Sequence, residues 1–351
     1  MYETINIEKN KSSRFSVHFY KDAFQWENFK ENCNFKKDKF AIICNQELKN
    51  EDWSTFHDVL SNEEDILKIS SKSKTEEICE FIANKQEEYT FIILCDSFVM
   101  SYLYQNIPVN ESKFSFISIP VTPYALFSDI TVRPLMNETG ELIRKELFPM
   151  AVYVDVSIMT KASPLAFQDA IASAFKLAIS YKASMFEWMI SNMYEITDCE
   201  ETAIYELLER GFLVRKERIE KDTAKERALS VYGEDFYNLF KEANYEISEA
   251  DATALSLVCQ TYLSWKKELI SMEEFYEIRD MLVFFGLSIT ETFATVEELN
   301  DIMDKMPLKT SMSEECVYIR KLGKLIVDKA PEKEMVYDAL KQIYFDEEAN
   351  D

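Results

Sequence analysis

The stretch from Phe91 to Pro134, FIILCDSFVMSYLYQNIPVNESKFSFISIPVTPYALFSDITVRP, limits what the chain can fold into more than any other. With the two residues before it, it holds two short apolar runs rich in β-branched and aromatic residues, Tyr89–Leu94 and Phe114–Pro120. Runs of that length without polar alternation predict strands buried on both faces, as in a parallel sheet. Phe98–Gln105 lies between them and is amphipathic, which suits the helix that must cross over between parallel neighbours. In such a strand–turn–helix unit the turn after the first strand is where a phosphate or dinucleotide sits, on the amides of the helix N-terminus. Here that turn reads Cys95-Asp96-Ser97 and holds no glycine. The place for the site is present while its chemistry is missing.

Further blocks follow downstream: Phe148–Asp155 (FPMAVYVD), Phe167–Leu177 (FQDAIASAFKL), Arg227–Gly233 (RALSVYG) followed by Glu234, and Val317–Val327 (VYIRKLGKLIV). With Leu94–Leu103 (LCDSFVMSYL) and Phe116–Pro134, they resemble the dehydroquinate synthase family, part of the larger group of sugar-phosphate cyclases. The family's counterparts are GGGxxGDxxGF, RGxxFxxxPTTLLAxxDSSVGGKTG, QPxAVxID, FxSGLAEVIKY, RALLNLGH and a late FxLxxxxGxxxx strand. The resemblance runs from roughly residue 85 to residue 340, with a weaker fit before it. It implies a Rossmann-like α/β N-terminal domain, placed at residues 1–160, and a mostly α-helical C-terminal domain, placed at 161–351.

The reaction that the resemblance implies is transient oxidation of a seven-carbon sugar phosphate by bound NAD, then phosphate elimination and ring closure beside a metal ion. That chemistry needs a dinucleotide cradle, an open three-ligand metal site and cations for phosphate and carboxylate. Backbone approaches a pyrophosphate only where no Cβ intervenes. Cys95, Asp96 and Ser97 stand where the family has three glycines, and Met100-Ser101 stand for its glycine-aspartate. Asp96 would also set a like charge beside the phosphates. In the second phosphate-facing segment, here Ser128–Pro134, the family lysine is Pro134, with Arg133 next to it. The family's zinc ligands, a glutamate and two histidines, map to Ser173, Glu234 and Glu249, and its acid–base histidine maps to Asn238. The chain's two histidines, His18 and His57, match no ligand position. Neither NAD nor a metal is therefore expected. Lys176, Arg227, Arg215 or Lys216, and Arg133 are left as candidates for binding a substrate anion, or for neutralising neighbouring carboxylates.

Composition narrows the classes further. Five glycines in 351 residues are few for an α/β protein built around phosphate loops. A net charge of −24 argues against nucleic acid or an anionic membrane as partner. Seven scattered cysteines without CxxC spacing read as reduced thiols, and no apolar run reaches ~18 residues, so a cytoplasmic protein is expected.

Along the chain, Phe15–Phe19, Phe40–Cys44 and Ile66–Ile69 are strand candidates and Lys74–Lys85 a helix candidate. Its start, Ser70-Ser71-Lys72-Ser73-Lys74-Thr75, replaces the family's glycine-glutamate-x-x-lysine turn, and Thr75 is expected to cap it. Beyond Asp155 helical periodicity dominates, with an apolar stripe of Phe167, Ile171, Ala174, Phe175, Ala178 and Ile179. Helices are expected over Glu200–Glu209, Glu234–Ala243, Glu249–Leu269, Met272–Phe285, Val296–Lys305 (ended by Pro307) and Lys333–Tyr344, with a strand near Val317–Ile326.

Three functions are compatible with these residues. The leading one is a pseudoenzyme, a non-catalytic or regulatory subunit present as a homodimer or as a heteromer with an active cyclase paralogue. The second is an active cyclase or lyase of altered chemistry on a phosphorylated sugar or cyclitol, using Lys176, Arg227 and the Glu234/Glu249 pair. The third is a small-molecule anion sensor.

Overall fold

A computed structural model describes residues 2–10, 13–20, 37, 39–48, 65–96, 98–99, 102–103, 114–128, 133–136, 142–145, 148–159, 163–221, 229, 231–305 and 314–344. The chain divides into two compact units, Met1–Ser163 and Pro164–Asp351.

The first unit runs β1 (Tyr2–Asn10), β2 (Ser13–Tyr20), β3 (Lys39–Asn45), β4 (Ile66–Ile69), α1 (Thr75–Lys85), β5 (Tyr89–Cys95), β6 (Phe116–Pro120), α2 (Pro123–Ser128), β7 (Arg133–Met136), β8 (Leu142–Lys145), β9 (Ala151–Asp155) and α3 (Val156–Met159). Its sheet has the order β1-β2-β9-β6-β5-β3-β4. All pairings in it are parallel except β1 with β2. The central strands are buried on both faces, which is why they read as unbroken apolar runs. Phe40, Ile42, Cys44, Ile92, Leu94, Ile117 and Ile119 pack on one side with Tyr20 and Tyr153. Ala41, Ile43, Phe91, Ile93, Cys95 and Phe116 pack on the other against Ile78 and Ile82 of α1, Val99 and Leu103. Residues 98–99 and 102–103 are helical, and the rest of the expected crossover helix lies outside the described residues.

The second unit runs α4 (Pro164–Tyr181), α5 (Ala183–Ser191), α6 (Met193–Thr197), α7 (Glu201–Lys221), α8 (Glu234–Ala243), α9 (Glu249–Lys266), α10 (Met272–Phe284), α11 (Val296–Met303), β10 (Glu315–Lys321), β11 (Lys324–Lys329) and α12 (Lys333–Lys341). The stripe expected on α4 is buried throughout. α9 is the axis of the unit, buried on every side from Ala252 to Ser264. Buried polar groups need partners within the protein, and several of its side chains find them. Gln260 Nε2 donates to the Val317 carbonyl at 2.6 Å, Ser264 Oγ accepts from Ile319 N at 3.1 Å, and Thr261 meets the Tyr232 hydroxyl at 3.1 Å.

Several sequence expectations are corrected. Thr75 is the first residue of α1 and Lys74 its N-cap, without a side-chain cap. The single strand expected at Val317–Ile326 is a hairpin of β10 and β11, because Leu322-Gly323 turns the chain while Leu322 prolongs the apolar pattern. α7 extends to Lys221, twelve residues beyond expectation, and carries Gly211 buried within it. β1, the β7–β8 hairpin, α5 and α6 were not expected at all. No described helix is long and apolar enough to cross a membrane.

Gly323 fixes the hairpin to the helices. Its φ is +75°, its N–H donates to the Ile179 carbonyl at 2.8 Å, and a Cβ there would lie 2.5 Å from the Ala183 backbone nitrogen. Gly323→Ala combines a left-handed conformation with a backbone clash. It is expected to cost about 2–3 kcal/mol, read as a lower urea midpoint with unchanged slope.

Candidate functional site

In the first unit the positions of interest lie at the carboxyl ends of the parallel strands. β5 ends at Cys95, and the next residue, Asp96, turns back on the chain. Its Oδ1 accepts from Val99 N at 2.7 Å and its Oδ2 accepts from Asn45 Nδ2 at 2.7 Å. Asn45 is the last residue of neighbouring β3, and its own Oδ1 accepts from Glu47 N at 3.0 Å. Asp96 therefore caps the helical segment that follows it, the role to which a short carboxylate is suited. The next turn has the same solution in milder form, with Thr122 Oγ1 accepting from Ala125 N at 3.3 Å at the start of α2. Cys95 is buried, its thiol 3.1 Å from Ser118 Oγ. Ser97, Met100 and Ser101 lie outside the described residues, as does the side chain of Arg133 on β7.

In the second unit the sequence candidates meet around the first turns of α8 and α9. Asp169, Ser173 and Lys176 lie at i, i+4 and i+7 of α4 and so share one face. Lys176 Nζ is 2.9 Å from Glu234 Oε1, the first residue of α8. Glu234, Tyr237, Asn238 and Lys241 occupy i, i+3, i+4 and i+7 of α8, opposite the buried Phe236, Leu239 and Phe240. Lys241 Nζ is 2.8 Å from Glu249 Oε1, the first residue of α9, and donates to the Ile247 carbonyl at 2.7 Å. The Tyr237 hydroxyl donates to Glu249 Oε2 at 2.5 Å, and Asn238 Nδ2 donates to the Glu234 carbonyl at 2.6 Å. Gly233, at φ +76°, turns the chain into α8. Ser248 caps α9, its Oγ accepting from Asp251 N at 2.9 Å. Asp169 Oδ1 accepts from Ala250 N at 2.8 Å, an anion held on a helix N-terminus.

Glu234 and Glu249 are half-buried and held by Lys176 and Lys241. Asp169, Tyr237 and Lys241 were not singled out by sequence. The available signal was their spacing, one turn before Ser173 and at i+3 and i+7 from Glu234. Arg215 is buried on α7, Lys216 pairs loosely with Glu220 at 3.9 Å on the same helix, and Arg227 lies outside the described residues. His18 is buried on β2 beside Thr4 at 3.4 Å, and burial lowers its pKa to about 4. His57 lies outside the described residues. Among the described residues no three of His, Cys, Asp or Glu are grouped as a metal would need.

Comparison with known proteins follows the same lines. No family model matches the chain. The 3-dehydroquinate synthase of Campylobacter concisus is 26% identical over 246 residues, 67% of this chain and 68% of that protein. A 2-deoxy-scyllo-inosose synthase complexed with carbaglucose-6-phosphate, NAD+ and Co2+ superimposes with a TM-score of 0.75, over 97% of this chain and 99% of that one at 11% identity. A 2-epi-5-epi-valiolone synthase from Streptomyces hygroscopicus with NAD+ and Zn2+ bound gives 0.73, over 93% and 96% at 11% identity. The solved structures share the fold: a parallel-sheet α/β domain with a mostly helical domain after it.

Burial raises the Asp169 carboxyl to about 6, against the Ala250 amide, which lowers it; Glu249 and Asp251 raise it further and Lys241 lowers it. A group raised in the folded state stabilises the fold below its ordinary value near 4, and that contribution is lost as pH rises through 6. Asp169→Asn keeps an acceptor for Ala250 N and removes the titration. The variant is expected to match the parent at pH 4 and to exceed it above pH 7 by about 1–2 kcal/mol, discounted for partial solvation. Urea unfolding at both pH values checks it.

Proposed function

We propose, on the premise that this chain belongs as a divergent member to the dehydroquinate-synthase-like sugar-phosphate cyclases, that it is a non-catalytic subunit of that fold. The observation that carries the reading is the Asp96 carboxylate, bound to Val99 N and to Asn45 Nδ2 at the end of β5. The helix N-terminus where a dinucleotide's pyrophosphate would rest is engaged by an anion of the protein's own. A phosphate brought there loses an amide donor and meets a like charge, worth about 4 kcal/mol at contact in a partly solvated site. Without NAD the transient oxidation has no hydride acceptor.

The metal position supports the same reading. A divalent cation needs anionic or imidazole donors with free lone pairs. The residues mapped to the ligands are a serine, Ser173, and two carboxylates, Glu234 and Glu249, each paired with a different lysine ammonium, and among the described residues no three His, Cys, Asp or Glu are grouped there. That donor set does not fit a metal, and no step is routed through one. The work left to such a subunit is association, with itself or with an intact cyclase.

The rival reading is an active cyclase or lyase of altered chemistry. The name of the curated relative favours it, as does Lys176, which matches the family's motif lysine. One set of measurements separates the two. The chain is purified from its host through a tag and weighed by native mass spectrometry, then assayed for melting shifts with NAD and for phosphate release from a seven-carbon sugar phosphate. The expected result is no bound nucleotide, no melting shift with 1 mM-scale NAD and no phosphate release. Phosphate release that disappears in Lys176→Ala would establish the rival.

A further inference from the structure

We infer that a closed ring of ion pairs and hydrogen bonds has taken over the structural work of the missing metal ion, so that the second unit is held together without a divalent cation. The inference rests on the proposed loss of the metal site. Starting on α4, Lys176 binds Glu234 of α8 at 2.9 Å. At the far end of α8, Lys241 binds Glu249 of α9 at 2.8 Å, with Tyr237 donating to the same carboxylate. The next residue of α9, Ala250, donates its N–H to Asp169 at 2.8 Å, and Asp169 lies on α4 two turns before Lys176. Three helices are thereby joined in a circuit, α4 to α8 to α9 and back to α4.

The circuit coincides with the positions where the family's pattern would place metal ligands. Ser173, which matches the family's glutamate, lies on α4 between Asp169 and Lys176, one turn from each. Glu234 and Glu249, which match its histidines, are the two carboxylates of the ring. A metal bound by side chains from three helices ties their ends together, and its binding free energy becomes folding free energy. With carboxylates in place of those histidines and no metal, each half-buried charge needs a positive partner. Lys176 and Lys241 bring two, from α4 and α8. All four side chains of the pairs have relative exposures between 23% and 30%, low enough for the pairs to matter more than free surface ion pairs. Lys241 is additionally fixed by the Ile247 carbonyl.

The test is thermal unfolding of the full chain and its variants. The chelator-treated protein is expected to melt at the same temperature as the untreated one, with no rise on adding Zn2+ or Mn2+; a metal-dependent rise would overturn the inference. Lys176→Met leaves Glu234 half-buried without its cation and is expected to lower the melting temperature by about 3–6 °C. Adding Glu234→Gln should recover at least half of that loss. Should Lys176→Met not fold, Glu234→Gln alone, paired with Lys176→Gln, completes the same cycle. Lys176→Met and Lys241→Met share no atom, yet a ring predicts that together they cost clearly less than their sum, since one break already opens the circuit. Strict additivity would reduce the ring to two separate ion pairs and overturn the inference. These are stability readings, so the ring can fail while NAD binding and phosphate release stay absent, and it can hold in a protein that proves to be an active cyclase.

Discussion

A carboxylate taken partly out of water must be met by a cation or by aligned amide donors, and much of this protein's polar architecture answers that requirement from within. The Lys176–Glu234 pair is the clearest case. It joins the face of α4 that carries Ser173 to the first residue of α8, beside apolar faces of both helices that pack in the core with the buried middle of α9. An unpaired Glu234 at that place would carry a desolvation cost comparable to the net worth of several hydrogen bonds. The pair thus removes a cost that the packing around it would otherwise carry.

The same logic operates in the first unit with amides in place of ammonium. A parallel sheet directs the carboxyl ends of its strands and the N-termini of the following helices to one edge, which creates a row of unsatisfied N–H groups. Where a cofactor binds, its phosphates satisfy them. Here Asp96 and Thr122 do so from within the chain, at 2.7 and 3.3 Å. The two units share a pattern: Asp96 in the first and Glu234, Glu249 and Asp169 in the second are each met by amide, ammonium or hydroxyl donors of the chain itself. The fold is the one shared with the solved cyclase structures.

Legibility followed the range of the physics. The buried strands β3, β5 and β6 could be read because a sheet covered on both faces needs continuous apolar runs, and helices α8 to α11 because their apolar periods and caps are local. Capping boxes at Ser271 and Thr295 fix the starts of α10 and α11 within a few residues of sequence. The β10–β11 hairpin was misread as one strand because Leu322 continues the apolar pattern across a turn that only Gly323 marks. β1 was missed because its alternating residues belong to an edge, where Ile5 and Ile7 face the core between exposed polar neighbours.

The sequence by itself determined which chemical groups are available: no glycine in the turn after β5, a serine and two glutamates at the positions matching metal ligands, and two histidines matching none of them. It also determined the α/β-then-helical order of elements, since periodicity and propensity act over a few residues. Tertiary structure alone decided the pairings. Asp96 meets Asn45 across 51 residues, Lys176 meets Glu234 across 58, and Asp169 meets Ala250 across 81. Charge acts over the few ångströms between side chains and carries no record of sequence separation. Whether a given lysine is a free anion-binding group or the partner of a half-buried glutamate is therefore settled only when the helices that carry them have packed.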